Sequence, residues 1–130
     1  MRIRAPQDRI ALMLKLAGKR LRMGGLQVRL GAPQVALLKP SSSLYSRFVT
    51  IKGCEEPDSF LDAVARKLDE LGVLGEPGLG PRRAFHIVRR VVVGFALRIH
   101  RLSEGGPIAL QERGIGSHRR IGCGFFVPVR

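Results

Sequence analysis

From Tyr45 to Val129 the hydrophobic period of the chain switches between two and 3.6, and few folds accommodate the order in which it does so. Tyr45, Arg47, Val49 and Ile51 fall on one side of a two-residue repeat, with Phe48 and Thr50 on the other, which predicts a strand. Glu55-Glu56-Pro57-Asp58 then opens a helix, with acids at the positive end of its dipole. Phe60, Leu61, Val64, Leu68 and Leu71 make one apolar stripe along it, and Gly72 ends it. The stretch from Gly75 to Pro81, with three glycines and two prolines, reads as a loop. Residues Ala84 to Leu102 read as two strands with a turn near Arg89-Arg90. In them Phe85, Ile87, Phe95, Leu97 and Ile99 are expected to face the core, and His86, Arg98 and His100 to face away. A short helix from Pro107 to Arg113 and a strand from Phe125 to Val129 complete the series.

Strand, helix, strand, strand, helix, strand is the order of an α+β, ferredoxin-like (RRM-like) βαββαβ domain. The first thirty residues read as the back half of a second such domain. Arg2 to Ala5 resembles the end of a strand, Pro6 and Asp8 open a helix carrying Ile10, Met13, Leu14 and Ala17, and Gly18 stops it. Leu21 and Met23, then Leu26, Val28 and Leu30, alternate on either side of Gly24-Gly25, a hairpin signal that puts Arg20, Arg22 and Arg29 on the wet face. The expected organisation is a partial N-terminal domain over residues 1–33 and a C-terminal domain with a glycine-rich loop over 34–130.

Charge narrows the partners. The net charge is +13, and it is carried at the two ends, with a slightly acidic middle between residues 31 and 80. Arginine supplies 18 of the 23 cations, and its planar fork matches phosphate oxygens. A GC-rich genome also raises arginine, yet a charge this large favours a polyanion partner, nucleic acid above all. The longest apolar run, Ile10–Leu14, is far too short to span a bilayer, and no stretch joins a basic face to a large apolar one, so no membrane partner is expected. Cys54 and Cys123 have neither zinc-ligand spacing nor a secretory signal before them. Reduced thiols in the cytoplasm, with no metal and no cofactor, are the expectation.

The tail Gly114-Ile115-Gly116-Ser117-His118-Arg119-Arg120-Ile121-Gly122-Cys123-Gly124 sets glycines around a Ser-His-Arg-Arg core. Backbone N–H groups at Gly116, Gly122 and Gly124, with Ser117, Arg119 and Arg120, are candidates to cradle a phosphate; a tight connection into the last strand is the alternative. His118 reads as a proton carrier or as a contact residue. His100 lies on a face with Arg98 and His86. Tyr45, the single tyrosine, is a candidate base-stacking group or a strand residue half in the core. Arg82, Arg83, Arg89 and Arg90 are candidates to grip an RNA stem by its phosphates.

Leu16-Ala17-Gly18-Lys19-Arg20-Leu21, Arg47 through Gly53, Val92-Val93-Gly94-Phe95, and the tail from Leu110-Gln111-Glu112 through Gly122-Cys123-Gly124-Phe125-Phe126-Val127-Pro128 together resemble the CRISPR-associated endoribonucleases that cut precursor guide RNA within its repeats, members of the RAMP superfamily. The resemblance covers nearly the whole chain, and the tail is its most specific part. It implies two ferredoxin-like domains, recognition of CRISPR repeat RNA, and metal-independent cleavage by attack of the ribose 2′-OH on the adjacent phosphate, leaving a cyclic phosphate. His118 and His100 are then the candidate catalytic groups. Gly116, Ser117, Arg119, Arg120, Gly122, Arg82, Arg83, Arg89, Arg90, Arg98 and Tyr45 are the candidate RNA contacts. Family members usually begin well upstream, with a histidine in the first helix of the first domain, so the expected partners include a missing N-terminal segment or other subunits of an effector complex. The alternative is a non-catalytic subunit or fragment that holds guide RNA.

Overall fold

The computed structural model describes residues 2–129. The chain divides into two compact units, residues 1–37 and 38–130.

In the first unit, Pro6 precedes a 3-10 turn, Gln7–Arg9, that runs into helix α1 (Ile10–Leu14). Strands β1 (Arg20–Met23) and β2 (Leu26–Arg29) form the expected hairpin, with Met23 opposite Leu26 and both glycines of the turn at positive φ. Leu30 donates its N–H to the Lys19 carbonyl and Gly18 donates to Leu30, closing its open end. Arg20, Arg22 and Arg29 share one face, as the alternation predicts. Two expectations fail. Residues 2–5 form no strand, and Ala17 lies in the turn after α1, not within the helix. None of the described side chains of this unit is buried, and Leu26 stays 72% exposed. A two-stranded hairpin without a covered apolar face is marginal in water.

The second unit is a four-stranded antiparallel sheet of β3 (Leu44–Val49), β4 (Glu76–Ile87), β5 (Arg90–His100) and β6 (Val127–Pro128), in the order β4-β5-β3-β6. Helix α2 (Pro57–Leu71) links β3 to β4, and α3 (Gly106–Arg113) links β5 to β6. This is the ferredoxin-like arrangement, two βαβ halves interleaved in one sheet. Pro57 occupies the first turn of α2, where no N–H is missed, and Gly72 closes the helix by donating to Leu68 and Asp69. Phe60, Val64 and Leu68 of α2 pack with Leu44 and Val49 of β3, with Phe95, Leu97 and Ile99 of β5, and with Leu110 of α3. The Phe60 and Phe95 rings lie 4.6 Å apart at the centre of this core. Burying each such side chain contributes roughly 1.5–3 kcal/mol.

Three expectations about strands are corrected. The Gly75–Pro81 segment is mostly strand, because β4 is an edge of the sheet and an edge tolerates proline on its unpaired side. Bulges then change which residues face which way. Ser46 pairs with Leu97 and Val49 with Phe95, so Arg47 and Phe48 together oppose Ala96. Leu79 pairs with Leu97 and Arg82 with Phe95, so Gly80 and Pro81 oppose the same Ala96. Each extra residue reverses the alternation beyond it. Val49 therefore joins the core while Tyr45 faces away, and Phe85 and Ile87 lie on the face of Arg98 and His100, opposite the helices. His86 takes the side of Phe95. Phe85 finds Phe48 there, with ring centroids 4.8 Å apart in an edge-to-face pair.

β3 pairs with β5 only between Phe95 and Ile99, so residues 83–94 continue past it as a two-stranded arm.

Two measurements check this account. Phe95→Ala is expected to destabilise the chain by about 3–5 kcal/mol in urea unfolding. In hydrogen exchange on the intact chain, β1 and β2 amides are expected to exchange at least a hundredfold faster than those of β5; equal protection would mean that the hairpin's apolar face is covered.

Candidate nucleic-acid interface

The glycine loop is fastened to the far end of β3. Ser117 donates its N–H to the Thr50 carbonyl and Gly124 donates to the Phe48 carbonyl, both at 2.8 Å. These bonds draw backbone against backbone. A Cβ at Gly116 would strike the Thr50 oxygen, and one at Gly124 would strike the Ile115 oxygen; both residues also have positive φ. Their role is close packing. Between them His118 takes a left-handed conformation and starts a 3-10 turn, Arg119–Ile121. Its carbonyl accepts from Ile121 and Cys123, and the Arg119 carbonyl accepts from Gly122. The N–H groups of Gly122 and Gly124 are thus spent inside the protein, and the sequence-based cradle loses both. What the loop presents to solvent is side chains. His118, Arg119 and Arg120 are exposed on its rim, above buried Ile115 and Cys123. The Arg119 guanidinium donates to the Arg113 carbonyl at the end of α3, which positions it.

The arm projects from the same end of the sheet. The Thr50 hydroxyl donates to the Val93 carbonyl at 2.8 Å, joining the end of β3 to the root of the arm. Arg82 at that root donates to the Glu55 carbonyl. Arg83, Arg89 and Arg90 are exposed along the arm, and Val88 at its tip is 93% exposed with φ at 55°. Among the described residues, the ion pairs are Lys67–Glu70 and Arg101–Glu76, the second at the end of β4 and β5 away from the arm. The arginines of arm and loop take part in neither pair, and four of the chain's ten acids lie on α2, with Glu55 and Glu56 just before it.

Tyr45, Arg98 and His100 gather at the other end of β3. Tyr45 faces Arg98 across the strands, with the guanidinium carbon 5.8 Å from the ring centroid. His100 Nδ1 lies 3.2 Å from Ser43 Oγ. His118 sits by Thr50 and His100 by Ser43, about 20 Å apart at the rise of a strand. The structure does not bring the two candidate histidines to one phosphate, where an acid and a base must each lie within hydrogen-bond reach. Ser43, which meets His100, and Thr50, which anchors both loop and arm, are not among the residues that the sequence singles out.

Cys54 and Cys123 are free thiols. Burial pushes the Cys123 thiol above its ordinary pKa. Among the described residues no three His, Cys, Asp or Glu side chains gather as metal ligands, and no helix is long and apolar enough to cross a membrane.

The whole chain, residues 1–130, matches the model of the Cas6 CRISPR family. The chain belongs to the Cas6 family. It is 40% identical over 128 residues to the CRISPR-associated endonuclease Cas6 of Myxococcus xanthus (strain DK1622). The match takes in 98% of this chain and 56% of that relative, so the chain spans just over half the relative's length. In this Cas6 chain the family resemblance and the geometry meet at the glycine loop, whose Gly-Cys-Gly turn carries the packing described above.

If Gly116 and Gly124 serve packing, Gly124→Ala is expected to cost roughly 1–3 kcal/mol. Gly122→Ala, with open space around it, is expected to cost only about 1 kcal/mol of backbone strain. Equal costs in thermal unfolding would remove the packing role. Alkylation adds a second check. Cys54 is expected to react with a maleimide in the folded protein at pH 7, and Cys123 only after unfolding or well above pH 9, because its raised pKa leaves less thiolate at any given pH.

Proposed function

We propose that this Cas6 chain binds CRISPR repeat RNA and takes part in processing precursor guide RNA in the cytoplasm. The observation that supports it most is the placement of Arg83, Arg89, Arg90, Arg119 and Arg120, without acidic partners, on an arm and a loop held to one end of β3. A rigid loop and a protruding basic ribbon suit the regularly spaced phosphates of an RNA stem, whose deep, narrow major groove side chains do not read. Arg82, Gly116, Ser117 and Gly122 belong to this surface as supports of its shape, and Tyr45 and Arg98 extend it along the sheet.

The proposed chemistry is metal-independent. The ribose 2′-OH attacks the adjacent phosphorus, the P–O5′ bond breaks, a base takes the 2′ proton and an acid delivers one to the leaving 5′ oxygen. The products are a 2′,3′-cyclic phosphate and a 5′-hydroxyl. Arg119 and Arg120 offset the charge that grows on the phosphorane oxygens. Beside them His118 is the side chain proposed to transfer a proton. Its counterpart comes from outside the arm and loop, since His100 lies at the other end of β3. We read residues 1–33 as the back half of a second ferredoxin-like domain and take the relevant partners to be RNA together with a further N-terminal segment or other subunits. A second reading, that the chain holds RNA without cutting it, is favoured by that separation of His100 from His118.

Incubating the chain with repeat RNA in EDTA separates the two. Cleavage that leaves a cyclic phosphate supports the first reading, and a gel shift without a cut supports the second. Arg119→Ala with Arg120→Ala is expected to weaken binding and to lower the slope of log affinity against log salt by about one to two. An unchanged slope would take the loop out of the interface. His118→Ala is expected to slow cleavage more than it weakens binding; equal losses would make it a contact residue.

A further inference from the structure

β3 and β5 are the two middle strands of the sheet. On their face opposite the helices, at the end away from the arm, four side chains converge. Tyr45 and Arg98 form a cross-strand pair, the guanidinium 5.8 Å from the ring centroid. His100 lies two residues along β5 on the same face and is tied through Nδ1 to Ser43 at 3.2 Å. Ser43 is held in turn, because Ser41 Oγ donates to its carbonyl at 2.8 Å. Next to β5, Gly78 of β4 pairs with Arg98 and adds no side chain. The imidazole lies beside that bare backbone, with Nε2 3.6 Å from where a Cβ of residue 78 would stand. Tyr45 and His100 are half-buried and Arg98 is exposed, so three planar groups border a shallow floor.

We propose that Tyr45, Arg98, His100 and Ser43 form a stacking subsite for one unpaired nucleobase of a single-stranded RNA segment. A base presents a flat π face to a phenol ring, and a guanidinium plane beside that ring extends the stack and adds a cation–π attraction. Aromatics on the middle strands of a four-stranded α+β sheet are the recurrent platform for such stacking. The composition concentrates that capacity here. The chain has one tyrosine and no tryptophan. Phe60, Phe95 and Phe126 are buried in the core, Phe48 and Phe85 pack on each other, and Phe125 is half-buried after the glycine loop, off the sheet strands. The hydrogen bond between Ser43 and Nδ1 fixes the imidazole so that Nε2 meets the edge of the base or its 2′-OH. If the serine hydroxyl donates to Nδ1, Nε2 carries the proton and donates; if Nδ1 donates to the serine, Nε2 accepts. Bases inside a stem hide both faces in the helical stack, so the subsite takes a nucleotide outside the stem. It accounts for His100 as a base contact instead of a proton carrier.

This inference rests on reading the chain as RNA-binding, and it differs from that reading in the energy it invokes. The arm and loop act through charge and weaken with salt, whereas stacking on Tyr45 does not. The experiment compares short oligoadenylate with an abasic ribose-phosphate strand of equal length, by fluorescence anisotropy at several salt concentrations. The wild-type chain is expected to bind oligoadenylate roughly tenfold or more tighter than the abasic strand. Tyr45→Ala is expected to erase most of that difference and leave the salt slope unchanged, and Tyr45→Phe to preserve it. The charge variant Arg119→Ala with Arg120→Ala is expected to lower the slope and keep the base-dependent difference. If Tyr45→Ala retains the preference for oligoadenylate over the abasic strand, the subsite is overturned while RNA binding stands. If Tyr45→Phe loses as much as Tyr45→Ala, the ring face is not the contact and the proposal fails. If the wild-type chain binds neither strand nor repeat RNA, the parent reading falls and the subsite with it. Matching unfolding curves for the Tyr45 variants and wild type separate lost contact from lost fold.

Discussion

Ala96 has an extra residue opposite it on both neighbouring strands, Arg47 and Phe48 on one side and Gly80 and Pro81 on the other. Its buried methyl leaves room for that crowding, since a Cβ at Gly80 would already lie 2.8 Å from it. The two bulges turn the same β5 into a strand with different surroundings at its two ends. Toward His100 the flanking strands lay Tyr45 and Gly78 on the face opposite the helices. Toward Arg90 they lay Phe48, Phe85 and Arg83 there. Bulges also increase local twist, and β3 ends just beyond its own. The arm is what remains of β4 and β5 once β3 has stopped. Separation of the surface into a basic end and an aromatic end follows from this one irregularity.

The arrangement of charge complements it. A chain with a net charge of +13 carries self-repulsion that its 10 acidic residues cannot cancel. Several of those acids lie on α2, on the helix side of the sheet, and among the described residues neither ion pair includes an arginine of the arm or loop. A polyanion bound at that end would relieve the repulsion left there, and binding would then be coupled to stability. Rigidity comes from backbone bonds: Ser117 to Thr50, Gly124 to Phe48, and the Thr50 hydroxyl to Val93. A loop braced in this way holds Arg119 and Arg120 in place before a ligand arrives.

The first unit presents a different physical situation. Its hairpin has sound local chemistry, with Gly24-Gly25 in the turn and strict alternation on each side, yet Met23, Leu26 and Val28 remain exposed. Local rules make the hairpin legible but supply no core. The second unit, in contrast, has a helix and strands that bury one another.

The sequence by itself determined the class of the second unit, the course of α2 and α3, the hairpin at Gly24-Gly25, and the arginine-rich character of tail and arm. Each of these depends on neighbours within a few residues: apolar spacing on α2, proline and glycine at helix ends, paired glycines in a turn. The face assignments of Phe85, Ile87, His86 and Tyr45 were not legible, because a bulge is set by what the partner strand presents, here the small Ala96. The loop's chemistry was half legible. Its arginines and His118 could be named, but the engagement of the Gly122 and Gly124 N–H groups, and the distance between His118 and His100, depend on where β3 begins and ends. Tertiary structure alone decided that Ser43 would meet His100 and that Tyr45 would meet Arg98. Those partners are more than fifty residues apart in the chain, and only the pairing of β3 with β5 brings them together.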